Sequence, residues 1–280
     1  MSRAKDNPPV TKRFVREMRV APGSSPRLDQ RKPDIRPRGL DKMKGLDRLA
    51  DRVESLGVQH ARLAAEGTRA VLLILQGLDA AGKDGTIKSV LTGVNPQGCR
   101  IVSFKEPTAT DLAHDYLWRV HALCPTRGEL GIFNRSHYED VVAVRVRKLA
   151  PGNVWRRRYE HIRGFERMLV DEGTTIVKVF LHVSRDEQRK RLQERIDDPE
   201  KRWKLQLGDL DDRKLWDQFT KAYEDVIRET STDWAPWHVV PADHNWVRNL
   251  AVAELLVETL ERLDPQLPSA DPALDGIEIV

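Results

Sequence analysis

The chain has 280 residues, of which 40% are hydrophobic and 32% are charged, and its formal net charge is +4 at pH 7. This length suits one decorated domain or two small ones, and so small a net charge is only a weak indication of an anionic partner. The two cysteines lack metal-ligand spacing, which argues against a disulfide framework or a zinc site and favours a reducing compartment.

The beginning of the chain carries no targeting pattern. The first residues, MSRAKDNPPVTKRFVREMRV, lack the apolar core of a signal peptide, and no apolar run in the chain approaches the length of a membrane span. We therefore expect a cytoplasmic protein that does not associate with membranes. Residues 1–44 are rich in Arg, Lys and Pro, so we predict an extended basic arm there rather than a folded domain.

After this arm the chain alternates between helix-like and strand-like patterns. A helix is predicted over 46–66, and the apolar run AVLLILQ at 70–76 is typical of a strand buried on both faces. Further strands are predicted over 100–104, 130–133, 175–183 and 237–240. Further helices are predicted near 82–93, 110–122, 138–149, 155–172, 185–197 and 246–263. This alternation predicts an α/β fold with a doubly wound parallel sheet, a polar excursion over 199–234 and a loose tail over 266–280.

The sequence GLDAAGKDG, residues 77–85, matches the phosphate-loop pattern, with its glycines and Lys83 at the required spacing. It follows a predicted strand and opens a predicted helix, where backbone N–H groups and the helix N-terminus face phosphate oxygens. A chance strand–turn–helix would not combine this spacing, the lysine and both flanking elements. The residues that we predict to bind phosphate here are Gly77, Ala80, Ala81, Gly82, Lys83, Asp84, Gly85 and Thr86.

Two carboxylates, Asp79 and Asp84, lie in this loop, and Asp84 replaces the hydroxyl that usually binds Mg²⁺. Both have structural explanations, Asp84 as a first-turn residue favoured by the helix dipole and Asp79 as a turn former. Acids beside a phosphate chain are also tolerated when a divalent cation lies between them, and magnesium prefers one or two carboxylates with phosphate oxygens and water. We favour the metal-binding interpretation for Asp79 and, to a lesser degree, for Asp84, where the helix-dipole interpretation is a serious competitor.

A second group of polar residues occurs in GIFNRSHYEDVV, residues 131–142, which places Asn134 and Arg135 at the end of a predicted strand. Strand ends of this kind line the ligand crevice of open α/β sheets. A strand-end acid commonly holds magnesium in phosphate-loop enzymes, but here the position is Asn134. Glu139 or Asp140 could supply the missing charge, although stabilisation of the first helical turn explains both equally well.

The motifs GLDAAGKDGTIKSVLTGVNPQGCRIVSF, KEPT, FNRSHYEDV and DDPEKRWKL follow one another in this order. Together they resemble polyphosphate kinase family 2, over about residues 45–265. The form FNRS-x-YE, in place of FDRS-x-YN, is similar to the subclass that phosphorylates both nucleoside mono- and diphosphates. The resemblance implies a phosphate-loop kinase domain over 45–265, with helices flanking the sheet and a helical lid over about 185–234.

The resemblance also implies an activity and its partners. These are a reversible, magnesium-dependent phosphoryl transfer from inorganic polyphosphate to AMP or ADP, adenine or guanine nucleotides as acceptors, and a dimer or tetramer. We expect no nucleic-acid partner. The residues carried over as catalytic are Asp79, Lys83, Arg135, Arg191 and Arg195, and Lys204 is carried over as a phosphate-binding residue. The metal would be held by Asp79, Asn134 and Glu139.

Other residues have weaker signals. Lys105 in the KEPT segment could border the acceptor or lie in a plain turn. The nucleotide pocket would be shaped by Asp115, Trp118 and Arg119 together with Asn134 and Arg135, although Trp118 could simply be part of the core. Arg191 and Arg195 are four residues apart on one predicted helix face, so they could close over the transferred group or belong to a solvated face.

Two other functions remain open at this point. An ATP-dependent nucleoside monophosphate kinase would share the phosphate loop. A non-catalytic polyanion-binding protein would depend on the basic arm over residues 1–44 instead. Transfer to a phosphate that is already an anion needs positioning and charge stabilisation rather than a strong general base, which fits a sequence without a Ser-His-Asp set.

Overall fold

One six-stranded sheet forms the centre of the described part of the chain, which in this computed structural model comprises residues 10–277 and residue 279. The strands are β1 (Arg19–Val20), β2 (Ala70–Gln76), β3 (Cys99–Ser103), β4 (Leu130–Asn134), β5 (Thr174–His182) and β6 (Trp237–Pro241). Their order is β1-β6-β5-β2-β4-β3, and only the edge pair of β1 and β6 is antiparallel. All five predicted strands are confirmed to within one residue at each end.

Helices surround this sheet. The α-helices of the described residues are α1 (Val10–Met18), α2 (Lys42–Glu66), α3 (Lys83–Val90), α4 (Ala109–Leu112), α5 (Trp118–His121), α6 (Glu139–Val146), α7 (Gly152–Asp171), α8 (Arg185–Asp197), α9 (Leu207–Lys214), α10 (Trp216–Thr230) and α11 (Asn245–Leu263). The stretch predicted as one helix over 110–122 instead forms α4 and α5. Between these helices Asp115 Oδ1 accepts a hydrogen bond from Leu117 N at 2.9 Å, a local turn that competes with a continuous helix.

Strand β2 is buried on both faces. Val71, Leu73 and Leu75 belong to one core cluster with residues of α2 and α11, whereas Leu72 and Ile74 belong to a second cluster with residues of α6, α7 and α10. Helices therefore cover both sides of the sheet, which explains why AVLLILQ shows no alternation. The predicted doubly wound α/β fold is confirmed.

The strand order creates a switch point beside β2. This strand lies between β5 and β4, so the chain leaves it towards β3 and β4 on one side and later returns to β5 on the other. Ligands of open α/β sheets bind at the carboxyl ends of the strands at such a point. The segments that follow β2 and β4 lie next to each other there, because Arg135 N donates to Leu75 O at 3.0 Å.

Part of the predicted N-terminal arm is folded. α1 and β1 occupy residues 10–20, and Val15, Met18 and Val20 are buried in the core. α1 packs against α11, and β1 extends the sheet beside β6. The prediction of an extended arm was wrong for these residues because three apolar side chains among many charges suffice to bury one face. Residues 1–9 of the predicted arm lie outside the described residues.

The predicted polar excursion over 199–234 also contains a core element. α10 buries Phe219, Tyr223 and Val226 and packs against α6 and α7. Residues 216–230 therefore belong to a helical layer on the sheet and are not part of a separate lid. The short helix α9 lies at the carboxyl edge, because its Asp212 lines a cavity together with Asp79 and Arg135.

The C-terminal tail follows the end of α11. Residues 266–277 are exposed and include one 3₁₀ turn, Pro272–Leu274, while residues 278 and 280 lie outside the described residues. Along the described chain, no helix combines the length and the apolar character that a membrane span requires.

Candidate active site

The segment after β2 forms a tight loop in which three residues have positive φ. Gly77, Ala80 and Gly82 have φ values of 152°, 59° and 103°. A side chain at Gly77 would also meet backbone, because an added Cβ would lie 2.9 Å from Leu181 O. A left-handed residue that carries a side chain, such as Ala80, is costly, and such residues cluster at functional sites. The surrounding packing therefore holds this loop in the curved shape that a phosphate-binding loop requires.

Lys83 opens α3 and turns its side chain back into the loop. Its Nζ donates to Gly77 O at 2.6 Å and to Leu78 O at 3.2 Å, and the residue is buried. Burial lowers the pKa of Lys83 to about 8, an effect that Arg135 increases and that three nearby carboxylates oppose. A phosphate bound at this ammonium group would raise that pKa again.

Arg135 and Asp79 form an ion pair across the switch point. Arg135 Nη2 donates to Asp79 Oδ1 at 2.5 Å, and Gln188 of α8 donates to Asp79 O at 2.9 Å. Arg135 follows β4 directly and has a φ of 61°, a second left-handed side-chain residue at this edge. Burial acts to lower the pKa of Arg135, but the charges of Glu139 and Asp79 raise it above its ordinary value. The guanidinium group therefore stays charged beside the loop.

Asn134 and Asp84 form a second contact between the same two segments. Asn134 Nδ2 donates to Asp84 Oδ1 at 2.6 Å. An aspartate at position 134 would face Asp84 with like charge, whereas the amide neutralises the contact. The Asn134 carbonyl oxygen is still a possible ligand for a cation. The amide at position 134, in place of a strand-end acid, is therefore explained by the carboxylate of Asp84 that it contacts.

Glu139 lies in the first turn of α6 and faces the same small cavity as Asp79 and Arg135. Burial raises the pKa of Glu139, while the charges of Arg135 and Lys83 act in the opposite direction. In the side-chain orientation that gives both its amide nitrogen and its amide oxygen a partner, Gln76 donates a hydrogen bond to Glu139 Oε1 at 3.0 Å. Glu139 therefore belongs to the site and also to the first helical turn, so its two sequence interpretations do not exclude each other.

The carboxylates of Asp79, Asp84 and Glu139 surround the loop without forming a complete metal cage. Within residues 10–277 and 279, no group of three or more Asp, Glu, His or Cys side chains is arranged to hold a metal ion. Magnesium requires only one or two protein carboxylates when phosphate oxygens and water complete its shell. The donor set therefore fits a metal that binds together with a phosphate chain.

Arg191 lies beneath the loop rather than above it. Its guanidinium group donates to Ala80 O at 3.1 Å, to Ala81 O at 3.2 Å, and to the carbonyl oxygens of Ala242 and Asp243 at 2.7 and 2.9 Å. Six carbonyl and carboxylate groups, including those of Glu187 and Asn245, share its donors. The structure places Arg191 where it braces the phosphate loop, and its catalytic role stays a prediction.

The other basic residues predicted on this side lie further out. Arg195, one turn after Arg191, forms an ion pair with Asp209 of α9 at 3.8 Å. Lys204 lies on the 3₁₀ turn between α8 and α9, with its Nζ 5.2 Å from the centre of the exposed Trp203 ring. The ion pair of Arg195 and Asp209 thus connects α8 to α9 through charged side chains.

The residues predicted to bind the nucleotide form a neighbouring group. Arg119 donates to Lys105 O at 3.0 Å and to Asp140 Oδ2 at 3.4 Å, which connects the end of β3 to α6. The ring of Trp118 is 45% exposed and stacks on His114 with 4.1 Å between centroids. Asp115 makes the turn contact with Leu117 N described above. Trp118 thus presents an exposed aromatic face one residue before Arg119.

Sequence reasoning missed several residues of the site. Gln188 and Tyr223 line the cavity with Asp79, and Arg248 and Asn249 of α11 lie against the phosphate loop. A signal for Arg248 was present in the sequence, because it is the only basic residue in the largely apolar segment NWVRNLAVAELL. Tyr223 lies on the amphipathic helix α10, in the stretch over 199–234 for which the sequence predicts a polar excursion.

The fold and the site together define a class of protein. A mostly parallel sheet carries a strained glycine loop at its switch point, with a buried lysine inside the loop and a paired arginine at the end of the next strand. This is the arrangement of a phosphate-loop phosphotransferase.

Comparison with known proteins identifies the family. The family model of polyphosphate kinase 2 matches residues 39–268, so the chain belongs to the polyphosphate kinase 2 family, as the sequence motifs predicted. An AMP/ADP-polyphosphate phosphotransferase of Meiothermus ruber is 59% identical over 234 residues, which cover 81% of this chain and 88% of that protein.

Two further relatives agree with this assignment. An ADP-polyphosphate phosphotransferase of Rhodopseudomonas palustris is 47% identical, over 80% of this chain and 82% of that protein. The crystal structure of polyphosphate kinase 2 from Arthrobacter aurescens TC1 superimposes with a TM-score of 0.88 at 42% identity and covers 91% of each chain.

Proposed function

We propose that the protein transfers phosphoryl groups reversibly between inorganic polyphosphate and the nucleotides AMP and ADP. The main support for this chemistry is that two cationic side chains, Lys83 and Arg135, both contact the loop segment that contains Asp79, at the carboxyl edge of the sheet. The substrates follow from the name of the Meiothermus ruber relative, an AMP/ADP-polyphosphate phosphotransferase that is 59% identical.

The chemistry needs charge stabilisation more than proton transfer. A transferred phosphoryl group spreads negative charge over its equatorial oxygens. Lys83 inside the loop and Arg135 at its side would each contact those oxygens, and the backbone N–H groups at the start of α3 would add further donors. The acceptor phosphate is already ionised, so neither Glu139 nor a histidine needs to remove a proton from it.

We further propose that magnesium is the metal. Asp79, Asn134 and Glu139 would hold it with phosphate oxygens, and Asp84 would contribute through its contact with Asn134. When bound, magnesium neutralises part of the charge on the phosphate chain and orients it. The ion pair of Asp79 and Arg135 would then loosen, because each partner gains a new counter-charge.

The segment 198–214, which contains α9, is proposed as the mobile lid. It is attached to the rest of the chain by ion pairs of Asp209 with Arg195 at 3.8 Å and of Asp212 with Arg147 at 2.8 Å. A polyphosphate chain would compete with both carboxylates for these arginines. Entry of the substrate would therefore release the lid contacts and allow Arg195 and Lys204 to bind phosphate.

The test is a transfer reaction without ATP. Purified protein is incubated with polyphosphate, magnesium and AMP, and the nucleotides are separated by chromatography. The proposal expects ADP and then ATP to form. Formation of ADP only when ATP replaces polyphosphate would contradict it and would identify a nucleoside monophosphate kinase. Parallel reactions with GMP and GDP test whether guanine nucleotides are also accepted.

Three properties of the protein in the cell are also proposed. We propose a cytoplasmic enzyme, since both cysteines are free thiols and a reducing compartment keeps them so. We also propose a homo-oligomer, a dimer or a tetramer, and the absence of a nucleic-acid partner. Light scattering during size-exclusion chromatography measures the oligomeric state, and a single mass equal to one chain would contradict that part.

A further inference from the structure

Arg248 of α11 is a buried cation that lies directly beneath the phosphate loop. The residue is only 3% exposed. Its Nη1 donates to Ala81 O at 3.3 Å and to Asn245 Oδ1 at 2.8 Å, while Nε and Nη2 donate to Asn249 Oδ1 at 3.1 and 3.0 Å. All of these partners are neutral, and within the described residues no carboxylate forms an ion pair with Arg248.

Two arginines therefore hold the same peptide of the loop. Ala81 O accepts from Arg191 Nη1 at 3.2 Å and from Arg248 Nη1 at 3.3 Å. In a trans peptide, the N–H of the next residue points in the direction opposite to the carbonyl. The N–H of Gly82 is consequently directed away from the two arginines, towards the inner side of the loop where phosphate oxygens would lie.

The loop is also shaped to admit this guanidinium group. A Cβ added at Gly82 would collide with Nη1 of Arg248, and one added at Gly85 would lie 3.3 Å from Nη2. Gly82 is thus required for two reasons, its φ of 103° and the close approach of Arg248. Asn249 continues the contact, because its Oδ1 lies 3.4 Å from Thr86 Oγ1 on α3.

An unpaired buried charge normally lowers stability, and an apolar residue of similar volume would avoid this cost. Burial together with the charge of Arg191 lowers the pKa of Arg248 to about 9, which is the expected sign for a cation without a counter-charge. A bound polyanion on the other side of the loop would supply the missing counter-charge. The cost to the free protein is therefore recovered when the substrate binds.

We propose that Arg248 is a positioning residue that directs the Gly82 N–H into the phosphate site and holds a positive charge behind the loop for the polyphosphate donor. The inference rests on the proposed function, because it names the donor that the loop binds. Arg248 acts through the Ala81–Gly82 peptide and does not itself touch the transferred group. Its contribution should therefore appear in the binding of the donor more than in that of the acceptor.

The test compares Arg248→Lys, which keeps the charge, with Arg248→Gln, which removes it. Arg163→Gln is the matched control, because Arg163 also donates to a backbone carbonyl, Glu229 O at 2.6 Å, at the far end of α10. We expect Arg248→Gln to lower kcat/KM by about 10- to 100-fold, through a higher KM for polyphosphate with an unchanged KM for AMP. Arg248→Lys should recover most of this loss, and the control should change neither KM.

The proposal is overturned if Arg248→Gln keeps the wild-type KM for polyphosphate, or if both KM values change in all three variants alike. Should Arg248→Gln fail to fold, Arg248→Lys decides, because the part of the loss that it does not recover must appear as a raised KM for polyphosphate with an unchanged KM for AMP. Should the wild-type protein show no transfer, the proposed function fails instead. Tripolyphosphate binding measured by calorimetry would then test Arg248 separately, with weaker binding expected in Arg248→Gln and equal binding contradicting the inference.

Discussion

Lys83 carries a positive charge in a buried position, and its pKa is lowered to about 8. Binding of polyphosphate requires the protonated ammonium group of Lys83. The value of kcat/KM for polyphosphate should therefore fall as the pH rises above about 8. The decline of kcat should occur at a higher pH than the decline of kcat/KM, because bound phosphate raises the pKa of Lys83. Arg remains protonated throughout this range, and Lys83→Arg should therefore lose the decline near pH 8 while having a lower rate. An identical decline in Lys83→Arg would assign it to another group.

The same shift affects folding. The folded-state pKa of Lys83 lies below the ordinary value of lysine, so the unfolded chain binds this proton more tightly. The group therefore lowers stability below pH 8, and this effect disappears as the pH rises from about 8 towards the ordinary value of lysine.

The contact between Asn134 and Asp84 gives a second prediction for a single residue. Asn134→Asp places two carboxylates where an amide now donates at 2.6 Å. Without metal, we expect the free energy of unfolding to fall by only about 1 kcal/mol. The effect is small because Asp84 is solvent-exposed and water screens the repulsion. Added magnesium should restore the melting temperature of Asn134→Asp more than it raises that of the wild type. Equal shifts in both proteins would contradict a metal site next to these residues.

At the scale of elements, a buried polar network connects the β4–α6 segment to the rest of the core. Lys178 of β5 donates to Glu166 of α7 at 2.5 Å and to Thr230 O of α10 at 2.7 Å, and Tyr138 OH donates to Glu166 at 2.6 Å. Lys178 and Glu166 are fully buried. Four elements therefore meet at one ion pair directly behind the segment that carries Arg135.

Removing one partner of this pair should be far more costly than removing both. Lys178→Met leaves the Glu166 carboxylate buried without its cation, and we expect the free energy of unfolding to fall by about 3–5 kcal/mol. The double variant Lys178→Met with Glu166→Leu should recover a large part of this loss. Urea unfolding of the three proteins measures the difference. A double variant as unstable as Lys178→Met alone would show that the loss does not come from the uncompensated charge.

The whole molecule depends on its N-terminal segment. Val15, Met18 and Val20 are buried against α11 and the edge of the sheet. Removing residues 1–20 should therefore lower the melting temperature markedly, at about 1.5–3 kcal/mol for each large apolar side chain lost from the core. Removing residues 269–280, whose described members are exposed, is the control and should change it little. Equal melting temperatures of the two truncated proteins would contradict a structural contribution from α1.

The sequence predicted the sheet and the phosphate loop because their signals are local. An unbroken apolar run identifies β2, and the glycine spacing with Lys83 identifies the loop. α1 and α10 were missed because their apolar residues are scattered among charges and Trp residues. The positions of Arg191 and Arg248 could not be predicted, since their partners are backbone carbonyls of the loop more than 100 residues earlier in the chain. The lid and the individual site residues stay predictions.

We propose that Asp79 holds a metal that bridges the protein to polyphosphate. The most direct measurement is the affinity of tripolyphosphate for the wild type and for Asp79→Asn, with and without magnesium, by calorimetry. Without magnesium, Asp79→Asn should bind at least as tightly as the wild type, because it removes a like charge and frees Arg135. With magnesium, the wild type should bind more tightly and Asp79→Asn should gain little. An equal gain from magnesium in both proteins would contradict the claim.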